Sequence, residues 1–90
     1  MNIEVTKSFL KDIEKITDKS IKAEIKDIVL SISKAEVIEN IPKLRKLVGY
    51  KKGIFYRIKV RDYRIGATIE GDLITLVRCM NRKDIYKFFP

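Results

Sequence analysis

The sequence predicts an α+β fold in which a short N-terminal strand and an antiparallel helical hairpin precede a three- to four-stranded antiparallel sheet. Apolar residues recur at helical spacing from Phe9 to Ile32, the period switches sharply to two from Ile54, and Gly71-Asp72 punctuates that second pattern. Ninety residues with 46% hydrophobic content support one modest core, so 1–90 reads as a single domain.

Ile3 and Val5 alternate with Asn2, Glu4 and Thr6, the pattern of an opening strand with one buried face. Phe9, Leu10, Ile13 and Ile16 then fall at helical spacing between Lys7 and Ile16, with Thr6 placed to cap them. Thr17-Asp18 interrupts, and Asp18 can cap a second helix whose stripe is Ile21, Ile25, Ile28 and Ile32. Asn40-Ile41-Pro42 ends the helical region, and a short strand is expected at Leu44–Val48 before a turn. From Ile54, residues Ile54, Tyr56, Ile58 and Val60 point one way while Phe55, Arg57, Lys59 and Arg61 point the other. Tyr63, Ile65, Ala67 and Ile69 give the apolar face of the next strand, and Leu73 to Met80 forms another. Arg82 to Phe89 is short enough for a terminal helical turn or a tail. If Arg61-Asp62 is a two-residue loop, Val60 lies beside Tyr63 and Ile58 beside Ile65, which also sets Lys59 opposite Arg64 and Arg57 beside Gly66.

The net charge of +8 points to an acidic partner. Residues 1–45 carry nine Lys/Arg against eight Asp/Glu, whereas residues 46–90 carry eleven against four, so the excess belongs to the second half. Asp62 is the only acid between Lys46 and Ile69, although a face built for solubility normally mixes signs. Like charges placed opposite one another destabilise a sheet, and a bound anion reverses that sign. Gly66, mid-strand, fits either a bulge or the close approach of a ligand. Histidine is absent, which excludes a histidine-pair ribonuclease, imidazole zinc ligation and a Ser-His-Asp triad. Cys79 stands alone, and Met1-Asn2-Ile3-Glu4 lacks the basic then apolar opening of a secretory leader, so the expectation is a cytoplasmic protein with no membrane span.

Phe55-Tyr56-Arg57-Ile58-Lys59-Val60-Arg61-Asp62-Tyr63-Arg64-Ile65-Gly66 and Asn81-Arg82-Lys83-Asp84-Ile85-Tyr86 together resemble the RelE branch of the RelE/ParE toxin superfamily. The first segment is similar to that family's YRI-(K/R)-x-x-x-YRI pattern and the second to its HRK-x-x-Y box. The resemblance implies the toxin of a type II toxin–antitoxin pair that enters the ribosomal A site and cleaves mRNA without a metal or other cofactor. A small acidic antitoxin is the implied partner, with the toxin a monomer or part of that heterocomplex. Arg57, Lys59, Arg64, Arg82 and Tyr86 match the family's catalytic positions, whereas Asn81 stands where this branch usually has histidine. Two alternatives stay open: a noncatalytic gyrase inhibitor like the ParE branch, and an inactive RNA-binding member.

RNA can be cut by its own 2′-hydroxyl attacking the adjacent phosphorus, which requires a base and stabilisation of the phosphorane. Lys59 is the candidate base, because its flanking cations Arg57 and Arg64 favour a neutral amine. Arg57 and Arg64 would stabilise the phosphorane, Arg82 would grip phosphate or assist the leaving group, and Tyr86 would stack on or orient a nucleobase. Tyr86 serves equally well as a packing residue. Lys43, Arg45, Lys46, Lys51, Lys52, Arg61 and Lys83 are candidate RNA contacts. Arg78 joins them if a bulge, or a reach around the sheet edge, brings it off the apolar face that strict alternation assigns it.

Overall fold

Two side-chain caps set where the helices begin in the computed structural model, which describes residues 1–90. Thr6 Oγ1 accepts the Phe9 N–H at 3.0 Å and opens α1 (Lys7–Lys15) directly after β1 (Asn2–Val5). Asp18 Oδ1 accepts from Ser20 N and Ile21 N at 2.8 and 3.3 Å and opens α2 (Lys19–Lys34). A 3₁₀ turn at Ile38–Asn40 leads to β2 (Leu44–Lys46), β3 (Phe55–Val60), β4 (Tyr63–Glu70) and β5 (Leu73–Asn81). One helical turn, α3 (Ile85–Phe88), closes the chain. No helix is long and apolar enough to cross a membrane.

The strands lie in the order β1-β5-β4-β3-β2. Four are antiparallel as expected, with β2 ending at Lys46, two residues before the expected Val48. β1 joins β5 in parallel, Ile3 opposite Ile74 and Val5 opposite Leu76, so the sheet is mixed and five-stranded. Period-two patterning reveals a strand but not its direction, which is why this pairing was not legible.

The β3–β4 register is the one expected from a two-residue turn: Val60 faces Tyr63, Ile58 faces Ile65, Lys59 faces Arg64 and Arg57 faces Gly66. Ile58, Val60, Ile65, Ala67, Ile69, Ile74, Leu76 and Cys79 are consequently buried on one face, under Phe9 and Ile16 of the α1 end and Ile25 and Ile32 of α2. Each large aliphatic side chain buried there contributes about 1.5–3 kcal/mol, so this face holds the two layers together. Cys79 lies deep within it, and burial, aided by the nearby Asp12 charge, pushes its thiol up to about 12. It is inert as a nucleophile at neutral pH.

A register shift between Gly66 and Ala67 decides where Arg78 points. Ala67 pairs with Leu76 but Gly66 pairs with Arg78, leaving Val77 as the extra residue of a bulge that carries Arg78 to the second face. From there its guanidinium reaches around the sheet edge to α1: Nε and Nη2 donate to Asp12 Oδ2 and Oδ1 at 2.8 and 3.0 Å. Asp12 is only 5% exposed and also accepts the Cys79 N–H at 3.0 Å. Beyond Thr6, β5 has lost its β1 neighbour, and the Asp12 carboxylate takes the place of a strand carbonyl at that edge. Burial alone would raise the Asp12 carboxyl, but the hydrogen bonds from Arg78 and Cys79, with the charges of Arg78 and Lys15, outweigh it and hold the group below its ordinary 3.8. Arg78, a possible RNA contact in the sequence, ties these elements together, with its guanidinium 5.1 Å from the Phe88 ring centre as well.

The second face is partly covered by the C-terminal segment. Phe89 is buried against β4, where a Cβ on Gly66 would come within 2.5 Å of its ring. Gly66 is therefore explained by an approaching aromatic ring and a bulge, rather than by an approaching ligand. Gly66→Ala should cost about 1–3 kcal/mol by forcing Phe89 outward. Much of that loss should return in the Gly66→Ala, Phe89→Ala double variant when measured against Phe89→Ala alone, and thermal melts compare the four proteins.

Acid should also find Asp12. Its lowered folded-state value means that its contribution is fully present above the unfolded carboxyl's 3.8 and is lost as pH falls through the folded value. Asp12→Asn is expected to be about 1–3 kcal/mol less stable at pH 7. Its denaturant midpoint should then fall less steeply than wild type's below about pH 5. Parallel acid limbs would show that Asp12 is not the group responsible.

Candidate functional site

On β3, period two sends Arg57 and Lys59 to the face opposite the core, and the β2 pairing sets Arg45 directly beside Arg57. The last β2–β3 pair is Leu44 with Ile58, so the strand edge beside Lys59 is unpaired on that side. An open cleft of about 490 Å³ forms there, lined by Glu24, Lys43, Arg45, Arg57, Lys59 and Arg61. Five cations and one carboxylate meet in it, with no hydrophobic residue. Such a lining suits a ligand carrying several negative charges and offers an apolar molecule nothing to bury.

Two of these cations sit on strained backbone. Lys43 has φ +62° and Arg61 φ +53°, the only non-glycine residues with positive φ in the chain. Each conformation costs on the order of 1 kcal/mol for a residue with a Cβ, and both lie in the same cleft. Arg61 is held there from α2: its Nε donates to Glu24 Oε1 and its Nη1 to Ser20 Oγ, both at 2.8 Å. The Ser20 hydroxyl donates in turn to Asp18 Oδ1 at 2.6 Å. That hydroxyl, followed by the N–H groups of Ile21 and Ser20, holds the Asp18 carboxyl below its usual range. The α2 cap thus also orients a guanidinium more than forty residues away in sequence.

The hairpin turn gathers two further cations. Arg64, opposite Lys59, folds its Nη1 onto the carbonyls of Arg61 and Tyr63 at 2.7 and 2.8 Å, bracing the turn. Arg82 donates its backbone N–H to Asp62 O at 2.7 Å, while its exposed guanidinium lies 3.9 Å from the Asp62 carboxylate. Tyr86 is exposed on α3. Of the five candidate catalytic residues, then, Arg57 and Lys59 share the cleft, Arg64 stands beside Lys59, and Arg82 and Tyr86 line neither wall of it.

Among the candidate phosphate contacts, Lys43, Arg45 and Arg61 join the cleft. Lys46 pairs with Tyr56 on the opposite face and its ammonium lies over Gly53. Lys51 and Lys52 project from the exposed loop before β3, and Lys83 sits in the turn after β5, its N–H received by Asn81 Oδ1 at 2.9 Å. Asn81 thereby shapes the turn that leads into α3. Glu24 and Ser20 were missed: their i, i+4 spacing shows only that they share a helix face, not that Arg61 arrives there.

A family model described as the ParE toxin of the type II toxin-antitoxin system, parDE, matches residues 3–86. The chain belongs to the RelE/ParE toxin superfamily. This toxin is 33% identical over 91 residues to Toxin RelE3 of Methanocaldococcus jannaschii, a match that spans all of both chains. Its fold is similar to the RelB-RelE antitoxin-toxin complex from Methanococcus jannaschii, with a TM-score of 0.80 and 32% identity, covering 97% of this chain and 99% of that one. The YoeB dimer of Staphylococcus aureus shares the fold at a TM-score of 0.70 and 21% identity, covering 91% and 97%. The archaeal RelE-RelB complex from Pyrococcus horikoshii OT3 does so at 0.70 and 17%, covering 90% and 93%.

The backbone at Lys43 offers a direct check on strain in the toxin's cleft. Lys43→Gly should be more stable than Lys43→Ala by about 1 kcal/mol, because glycine adopts φ +62° without a clash. That difference corresponds to roughly 4–8 °C in melting temperature for a domain of this size. Identical melting of the two variants would remove the strain.

Proposed function

We propose that this toxin is an endoribonuclease that cuts mRNA in the ribosomal A site, using side chains alone and no metal. The observation that carries the reading is the cleft: Arg57 and Lys59 lie there among three further cations, with Glu24 the one acid. The Lys59 amine takes the proton of a ribose 2′-hydroxyl as its oxygen attacks the adjacent phosphorus. Arg57 and Arg64 stabilise the phosphorane's added negative charge. The bond from phosphorus to the 5′-oxygen then breaks, leaving a 2′,3′-cyclic phosphate, and the departing oxygen takes a proton from solvent. Arg82 and Tyr86 act from outside the cleft, Arg82 on a flanking phosphate and Tyr86 on a nucleobase.

Lys43, Arg45 and Arg61 supply the sequence-independent grip, with Lys46, Lys51, Lys52 and Lys83 as peripheral phosphate contacts. The partner that restrains the toxin is a cognate antitoxin, as in the RelB-RelE complexes whose fold it shares. An A-site activity places the protein in the cytoplasm. The ParE description of the matching family favours a second reading, noncatalytic inhibition of gyrase through protein contacts. Turnover separates the two.

Purified toxin added to mRNA-programmed ribosomes should produce cuts at A-site codons in the presence of EDTA. Lys59→Ala and Arg64→Ala should each lower the rate at least about 100-fold, the scale of removing a general base or a charge stabiliser. Intact message with the wild type would discard the nuclease and leave gyrase inhibition or bare RNA binding.

A further inference from the structure

Tyr50 lies outside the core cluster, in the loop before β3, and its ring packs against another aromatic ring. Gly49, at φ +89°, turns the chain, and the Tyr50 ring then meets Phe55 edge-on, with centroids 5.5 Å apart and planes at 70°. Phe55 meets Phe89 in the same manner at 5.9 Å and 83°, and Phe89 rests on Gly66 in β4. Three rings therefore make a buttressed row on the second face of the sheet, from buried Phe89 out to Tyr50, which is 46% exposed. Packing accounts for the inner two rings. It gives the outermost one less to do, since Tyr50 covers Phe55 while nearly half of it stays in solvent.

Its surroundings are cationic. Exposed Lys51 and Lys52 follow it directly, and Phe55 points to the same side of β3 as Arg57 and Lys59. Arg57 is two residues along the strand from Phe55, a rise of about 7 Å. An edge-on contact with Phe55 leaves at least one face of the Tyr50 ring uncovered by it. An aromatic face beside a row of positive charge is the arrangement that single-stranded nucleic acid recognises, with bases stacking on the ring and the backbone following the cations.

We propose that Tyr50 is a stacking platform for one unpaired nucleobase of an RNA strand whose phosphates occupy the cationic cleft. The inference rests on the RNA-cleaving reading above and adds to it a base-binding subsite at the Phe55 end of β3. Because every nucleobase has a π face, the platform binds without strong sequence preference. It fixes which phosphate reaches Lys59 by holding a nucleotide further along the same strand.

The test uses a fluorescent 2′-O-methyl oligoadenylate, which cannot be cut because its attacking hydroxyl is blocked, and the same strand carrying abasic sites throughout. Anisotropy titrations at fixed salt compare wild type, Tyr50→Phe, Tyr50→Leu, Tyr50→Ala and Arg57→Ala, each shown to be folded by its melting curve. Tyr50→Ala and Tyr50→Leu should weaken the intact strand about 5- to 100-fold, while Tyr50→Phe binds as wild type does. The abasic strand should bind equally to wild type and Tyr50→Ala, and the salt dependence should be unchanged, since no phosphate contact is lost. If Arg57→Ala weakens the intact strand but neither Tyr50→Ala nor Tyr50→Leu does, the platform is wrong and the cleft stands. If wild type fails to bind the intact strand, the RNA reading and the platform fall together.

Discussion

The β3–β4 hairpin closes over two residues, Arg61 and Asp62, and the arrangement of the cationic face follows from that turn. In a strand, a slip of one residue exchanges the two faces. Here such a slip would drive Arg57 and Lys59 toward the helices and turn Ile58 and Val60 outward. The buried pair Ile58–Ile65 and the packing of buried Val60 beside partly buried Tyr63 resist it, and Arg64 adds a second restraint by bonding to the Arg61 carbonyl. The same contacts that hold the register also hold like charges together, Lys59 opposite Arg64 and Arg45 opposite Arg57. Core burial is the larger effect. Several kcal/mol from two or three aliphatic side chains exceeds the few tenths that each repelling surface pair costs.

The far side of the sheet is organised around a different exchange. A single carboxylate, Asp12, stands in for a missing strand at the β5 edge and receives the guanidinium fork of Arg78. Arg78 arrives there because Val77 is an extra residue in the β4–β5 ladder, and its cation also faces the Phe88 ring. Bulge, carboxylate and terminal helical turn are therefore one assembly. It joins α1 to α3 across the strand edge and takes no part in holding Arg57 and Lys59 of β3, whose side chains have no hydrogen-bond or ion-pair partner.

Much of this was legible in the sequence. Thr6 and Asp18 cap helices where their side chains suggested, the β3–β4 partners follow from a two-residue loop, and Arg57, Lys59 and Arg64 share one face because period-two strands sort their residues so strictly. What escaped had physical reasons. Strict alternation put Arg78 on the wrong face and so pointed to a bulge or a reach around the sheet edge, but nothing in the pattern of β5 named Asp12 on α1 as its partner. The parallel pairing of β1 depends on long-range topology. Glu24 and Ser20 lie on an unremarkable solvated helix face until the turn brings Arg61 to them. Within the candidate site, the strand cations were readable from alternation and motif, whereas their support from α2 required three dimensions.

The helical hairpin meets the cleft through very little: Glu24 lines it, and Ser20 steadies one arginine from the same helix face. The outward sides of α1 and α2, including exposed Leu10 and Leu30, make no contact with the cleft. Mutational drift on that surface is thereby uncoupled from the charged strands on the other side of the sheet. Substitutions on the exterior of the helices can therefore accumulate without removing a side chain that lines the cationic groove.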